Sequence, residues 1–200
     1  AVHIEQDLIK ENVGCQDQTL AAYGGFNFIE FGGPNHLQVR TVTVSPERLR
    51  ELQSHLMLFF SGFSRTASEI AATQIKNTPN KTKELTEMYG LAVQALDVLK
   101  SGNIVDFGKL LHESWQLKRS LSEKISTSHI DEIYNAAREA GAQGGKLLGA
   151  GGGGFVLIFA KPEDQPKIRA RLKDFLEIPF KFESLGSQII FYQPNSGLVA

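Results

Sequence analysis

The spacing of apolar and polar positions changes several times along the chain, and each spacing selects an element. Residues 24–31, GGFNFIEF, set Phe26 and Phe28 against Asn27 and Glu30, the period of two that strands require. Residues 37–44, LQVRTVTV, are rich in β-branched side chains, and Gly32, Gly33, Pro34 and Asn35 stand between the two stretches as a turn signal. The pattern predicts a β-hairpin over 24–44. Ahead of it, Val2, Ile4, Leu8 and Ile9 predict an amphipathic helix over 2–11. Residues 12–18 break that helix, and 19–23 form a helical turn.

A helix start follows the hairpin. Ser45 can cap, Pro46 suits the first helical position, and Glu47 complements the positive helix end. Residues 56–60, LMLFF, are a buried-strand candidate that ends in a polar loop at 61–66. Over 81–101, Leu85, Met88, Ala92, Ala95, Leu96 and Leu99 share one helical face. Asn103 can cap a second helix, in which Ile104, Phe107, Leu110, Leu111, Leu117 and Leu121 recur at three- and four-residue steps. Ser128 and Asp131 have capping-box spacing before a helix over 130–140, and Gly141 suits its end.

The most unusual stretch is 144–160, GGKLLGAGGGGFVLIFA. Residues 155–160 form a short unbroken apolar run, as a strand buried on both faces would, and 146–148 are a candidate partner strand. Between them lie Gly149, Ala150, Gly151, Gly152, Gly153 and Gly154. Glycine reaches positive φ without a Cβ clash, so successive N–H groups can turn toward one point and hold an anion such as phosphate. Lys146, just upstream, can add positive charge. The plainer alternative is a tight hairpin needing small residues for packing. Gly149, Gly151 and Gly154 match G-x-G-x-x-G, but that dinucleotide loop opens a helix and this one opens a strand. No P-loop signature occurs.

Beyond the loop the pattern predicts a helix over 162–177 and strands at 179–183 and 188–192. Without the helical insert, the order from 56 onward is β-α-β-β-α-β plus one strand, a ferredoxin-like α+β arrangement. A boundary near 44–56 divides the chain into two expected units, 1–50 and 51–200.

Composition narrows the function classes. The 200 residues are 42% apolar and 22% charged with a net charge of −1, which supports a real core and gives no general attraction to nucleic acid or an anionic membrane. Cys15 is the single cysteine, so the chain suits a reducing compartment, and a cytoplasmic location is expected. No apolar run approaches transmembrane length. His3, His36, His55, His112 and His129 are scattered, and no metal site is expected from them.

Asp17 lies in Gly14-Cys15-Gln16-Asp17-Gln18. Flanking amides can fix a carboxylate so that it takes a proton from a substrate hydroxyl. An Asx-turn or cap is the commoner role of a loop aspartate. Arg65, in Ser64-Arg65-Thr66 after the strand at 56–60, can bind phosphate or stand on the surface. Lys118 can lie on a solvated helix face or reach into a pocket. Trp115 and His112 suit packing or an interface.

These stretches together resemble the GHMP kinases, small-molecule kinases acting on sugars and mevalonate-type substrates. GGKLLGAGGGGFVLIFA is similar to their third, glycine-rich motif. NVGCQDQTLAAYGGFNFIEF, LFFSGFSRTASEI and LLHESWQLKRSLS resemble the branch that acts on D-glycero-D-manno-heptose 7-phosphate. The resemblance covers essentially the whole chain. It implies ATP and Mg2+ as cofactors, a sugar-phosphate substrate and transfer to the anomeric hydroxyl. It implies Asp17 as the catalytic aspartate, Gly149, Ala150, Gly151, Gly152 and Gly153 as the phosphate or substrate loop, and Gln16, Gln18, Tyr23, Gly24, Arg65, Lys118 and Lys146 as substrate candidates. The family's P-x-x-x-G-L-G-S-S-A motif, its main ATP loop, does not occur. The chain therefore resembles a C-terminal portion whose expected partner is the missing N-terminal half, with a homodimer as a further possibility. Another GHMP sugar kinase, of galactose or fucose type, and a non-catalytic phosphosugar-binding module are the alternatives.

Overall fold

The computed structural model of the chain describes residues 1–32, 37–62 and 67–192. A short π-helical stretch, Ile4–Leu8, precedes α1 (Gln16–Tyr23). The hairpin strands β1 (Asn27–Phe31) and β2 (Leu37–Thr41) pair antiparallel in register Asn27 with Thr41 through Phe31 with Leu37. Then come α2 (Pro46–Ser54), β3 (Leu56–Phe60), α3 (Ala67–Asn77), α4 (Thr82–Ser101), α5 (Ile104–Ser120) and α6 (Ser128–Glu139). The chain closes with β4 (Gly144–Leu147), β5 (Phe155–Phe159), α7 (Gln165–Arg171) and β6 (Leu176–Glu177).

Local chemistry sets the helix starts. Ser45 Oγ accepts the Arg48 N–H at 3.2 Å at the start of α2, with Pro46 in the first turn. Asn103 Oδ1 accepts the Val105 N–H at 3.0 Å at the start of α5. The cap of α6 is Thr127, whose hydroxyl accepts the Ile130 N–H at 3.3 Å. Ser128 is thus not the cap. Asp131 is instead engaged by Arg119 and by the Ser126 hydroxyl.

The second sheet has the order β4-β5-β3-β6, antiparallel throughout. Its two central strands explain the unbroken apolar runs. Val156 and Ile158 enter a core cluster with Met57, Phe59, Ile130, Ile133 and Leu147, while Phe159 enters a second with Leu52, Leu99 and Ile104. Alternate residues of a strand point to opposite faces, so a sheet covered on both faces needs apolar side chains at consecutive positions. The architecture is α+β, with helices packed on an antiparallel sheet.

Several expectations need correction. The helix expected over 2–11 is shortened to residues 2–8, π-helical over Ile4–Leu8. Its apolar residues Ile4, Leu8 and Ile9 stay exposed, and an amphipathic face with nothing to bury against gains little from helix formation. The partner strand is Gly144–Leu147 rather than 146–148. The helix expected over 162–177 is only Gln165–Arg171; Leu176–Glu177 leaves it to pair with Phe59 and Phe60. No strand forms at 179–183 or 188–192. Residues 183–187 run against α1 and the start of the hairpin instead, through Gly25 N–H to Glu183 O at 3.2 Å and Ser187 N–H to Ala22 O at 3.2 Å. The helix α3 (Ala67–Asn77) is not among the expected elements. Part of the turn at 32–35 and of the loop at 61–66 lies outside the described residues.

Candidate functional site

The glycine loop joins β4 to β5, and its backbone does what glycine permits. Gly149, Gly151, Gly152 and Gly154 have φ of 75°, 132°, 77° and 108°, conformations that other residues rarely adopt. Gly151 also has no room for a side chain: a Cβ there would lie 2.8 Å from the Ile125 Cα and 2.9 Å from its carbonyl oxygen.

The loop is fastened mainly through its carbonyls. Lys118 Nζ donates to Gly149 O at 2.6 Å, Gln74 Nε2 to Ala150 O at 2.6 Å, and the Ser61 N–H and hydroxyl to Gly154 O at 2.8 and 2.9 Å. Two amides are also used, Gly152 N–H on Ile125 O and Gly154 N–H on Gly62 O, both at 2.9 Å. Among the described residues, the N–H groups of Gly149, Ala150, Gly151 and Gly153 have no hydrogen-bond acceptor. Unused donors beside positive-φ glycines are the groups with which a backbone can hold an anion's oxygens.

Helix α5 delivers Lys118 to that loop. Its Gly108 touches β4 so closely that a Cβ on Gly144 would lie 1.9 Å from Gly108 O. Ten helical residues on, Lys118 meets the loop five residues beyond Gly144. Those paths cover about 15 Å and about 16 Å, so helix and strand run side by side in one direction. Gly144 faces α5, and Lys146, two residues later, shares its face of the sheet.

Electrostatics ties a third group to the pair. The Lys118 ammonium is held down to about 8, first by burial and then by the positive charge of Lys146, against the pull of the Asp17 carboxylate. Burial also lowers Lys146. Asp17 is not in a loop as expected: it occupies the first turn of α1, exposed to solvent. A carboxylate is favoured there by the helix dipole, and a helix fixes it better than a loop would.

The remaining candidates are dispersed. Gln18 donates to Glu5 through its side-chain amide, while its Oε1 is buried without a hydrogen-bond partner. Gln16 is exposed. Tyr23 lies exposed at the far end of α1, and Gly24, with φ of 65°, is pressed against Leu185 and Gly186. Arg65 lies outside the described residues. Trp115 is core rather than surface, and His112 bonds the Tyr134 hydroxyl through Nδ1 at 2.6 Å. Asp17, Lys118, Lys146 and the glycine loop are therefore the group that the fold assembles. Gln74 was missed, because a single glutamine on the polar part of a helix carries no motif signal. A separate cleft of about 620 Å³, lined by residues including Ser45, Arg48, Leu99 and Gly102, shares no residue with this group. Arg48 there donates to the carbonyls of Val98, Leu99 and Gly102 and so closes the end of α4.

Among the described residues no group of three His, Cys, Asp or Glu side chains is placed to hold a metal ion. The open amides do fit phosphate. No helix among the described residues is long and apolar enough to cross a membrane.

Comparison with known proteins supplies the class. Residues 92–178 match the family model "GHMP kinases C terminal", and the chain carries the C-terminal domain of that family. More particularly, it resembles part of a D-glycero-alpha-D-manno-heptose 7-phosphate kinase from Campylobacter jejuni. That relative is 33% identical over 165 residues, 81% of this chain and 48% of the relative. A bifunctional fucokinase/GDP-fucose pyrophosphorylase from Arabidopsis thaliana is 31% identical over 90% of this chain and 18% of its own length. The crystal structure of a D-glycero-D-manno-heptose 1-phosphate kinase from Bacteriodes thetaiotaomicron superposes with a TM-score of 0.64 at 26% identity, covering 92% of this chain and 51% of that one. The chain thus spans about half the length, or less, of these relatives.

Proposed function

We propose that the chain is the C-terminal half of an ATP-dependent sugar-phosphate kinase that phosphorylates the anomeric hydroxyl of D-glycero-D-manno-heptose 7-phosphate, giving the 1,7-bisphosphate and ADP. Residues 1–50 are read as the end of its N-terminal domain, the hairpin included, and 51–200 as a ferredoxin-like C-terminal domain. The observation that carries the reading is the convergence of a carboxylate, two lysines and a glycine loop with unused N–H groups on one place in the fold. The named activity of the C. jejuni relative supports heptose 7-phosphate as the sugar.

In this mechanism Asp17 accepts the proton of the anomeric hydroxyl as its oxygen bonds to the γ-phosphorus of ATP. The bond from that phosphorus to the β,γ-bridging oxygen breaks, and ADP leaves with the electron pair. The open amides of Gly149, Ala150, Gly151 and Gly153 hold phosphate oxygens at their developing charge, so the chain contributes by positioning and electrostatics. Mg2+, carried on the nucleotide's phosphates, would share their charge. The main ATP loop belongs to the missing N-terminal half.

The test is ADP release from Mg-ATP by the full-length protein. Heptose 7-phosphate, L-fucose and mevalonate serve as acceptors, with Asp17→Asn as control. The expected outcome is turnover with the heptose phosphate alone and its loss, by a factor of about 10² or more, in the folded variant. A preference for fucose would transfer the reading to the fucokinase branch, which the Arabidopsis relative keeps in view. Binding of sugar phosphate with no turnover would make this a phosphosugar-binding module.

A further inference from the structure

Two ammonium groups close enough to repel each other, both drawn out of water, are an unfavourable arrangement for a protein that binds nothing there. Lys118 and Lys146 are so placed. Among the described residues, the one carboxylate that acts on Lys118 is Asp17, which is exposed and leaves one positive charge over. The partner that Lys118 does have is weak for a cation: a neutral carbonyl, Gly149 O at 2.6 Å. A dianion would compete with that carbonyl easily, since hydrogen bonds between ionised partners are about twice as strong as neutral ones. The carbonyl belongs to the residue that begins the run of unused loop amides.

We propose that Lys118 and Lys146, with the N–H groups of the glycine loop at their side, form a binding site for a phosphate monoester dianion, and that Lys118 exchanges Gly149 O for that phosphate when the ligand arrives. Lys118 is then a latch on the loop in the free protein and a phosphate ligand in the complex. Two sources carry this chemistry: the phosphate already on the acceptor sugar, and the terminal phosphate of the nucleotide. The first deepens the proposed function, on which it rests, by explaining selection of a phosphorylated sugar. The site itself does not depend on that reading.

The experiment is calorimetric titration of the full-length protein with inorganic phosphate, then with heptose 7-phosphate, unphosphorylated heptose and a non-hydrolysable ATP analogue. It is run on the wild type and on Lys118→Met, Lys118→Gln and Lys118→Arg. Gln retains a donor for Gly149 O without the charge. Inorganic phosphate is expected to bind at least about tenfold more weakly to Met and Gln, the effect of losing one charged hydrogen bond, and Arg should recover most of the loss. Wild-type phosphate affinity in both Met and Gln would overturn the proposal. So would full recovery in Gln, which would reduce Lys118 to a loop fastener.

The other arms locate the phosphate. A loss confined to heptose 7-phosphate assigns it to the acceptor, and a loss confined to the ATP analogue assigns it to the nucleotide. Either result supports the site. If the kinase assay fails on every sugar while inorganic phosphate still depends on the Lys118 charge, the proposed function falls and the anion site stands.

Discussion

The two sides of the candidate site are built by opposite means. The glycine loop hangs between strands whose inward residues Leu147, Val156 and Ile158 are fully buried, and it touches Ile125, also fully buried. Asp17 stands on an eight-residue helix whose one buried side chain is Thr19. That helix is held at its far end by backbone contacts with residues 185–187. The hairpin after it leaves Phe31 and Leu37 exposed. The sheet side draws its stability from a core that it owns. The Asp17 side owns almost none, and its exposed apolar residues fit a reading in which further chain covers them. Under the proposed function, a carboxylate that must meet its substrate gains from standing on the side with less core of its own, while a phosphate seat gains from rigidity.

The sharpest way to break this comparison is one leucine from each side. Leu147→Ala removes a fully buried side chain from the main core and should cost about 2–5 kcal/mol. Leu37→Ala, on a residue 43% exposed, should cost about 0.5 kcal/mol or less. Denaturant unfolding of the two variants measures both. Equal costs would mean that the hairpin side is anchored as firmly as the sheet. Hydrogen exchange sharpens the result: β4 and β5 amides should open only with global unfolding, and those of β1 and β2 by cheaper local routes.

Gly151→Ala asks whether the loop's shape, and not merely its presence, matters. The new Cβ meets Ile125 backbone at a φ of 132°, and backbone cannot step aside as a side chain can. The expected cost is about 1–3 kcal/mol of stability, with a parallel loss of inorganic phosphate binding in calorimetry. Gly149→Ala meets nothing within 4 Å and should show the smaller, purely conformational part of the effect. If the two behaved alike, contact with Ile125 would not be what shapes the loop.

What could be read from the sequence follows the same division. The strands β3 and β5, the helices α4 and α5 and the glycine loop were legible because burial on a self-sufficient core imposes periodicity and composition. Residues 2–11 and 179–192 misled for the opposite reason. Their apolar side chains look like those of a helix and two strands, yet Ile4, Leu8, Ile189, Ile190 and Phe191 are exposed, so at 2–11 and 188–192 the pattern has no surface to act on; at 179–183 Phe182 does pack against the second core cluster, but the backbone pairs with no strand. Residues 172–177 also misled: Leu176–Glu177 joins the sheet edge by pairing with β3, a long-range contact that local periodicity does not encode. At the site, glycine content announced the loop, but nothing local announced that Lys146 and Asp17 both act on Lys118. The proximity of the two lysines comes from α5 lying along β4, which Gly108 and Gly144 permit by having no side chains between them; Asp17 is brought in separately, on α1.

The smallest effect, and the most selective, is in pH. Lys118 titrates near 8 in the folded chain, well below the roughly 10.4 of a free lysine. Between those values the unfolded chain binds the extra proton, so stability rises with pH across the window. Lys146, also lowered by burial, acts with the same sign. Phosphate affinity should move the other way. The ligand is already a dianion above about pH 7, and each step above pH 8 removes positive charge from its site. Above about pH 10 the signal is contaminated by Tyr134, pushed up to about 12 mainly by burial, because unfolded tyrosine ionises first and stability then falls. The clean interval is thus pH 8 to 10. Urea unfolding and phosphate calorimetry at three points within it should show stability climbing while affinity declines, and Lys118→Met should flatten both slopes, leaving only the part that Lys146 supplies. Slopes unchanged in that variant would mean that Lys118 is not the titrating group, and the charge imbalance at the glycine loop would have to be sought in Lys146 alone.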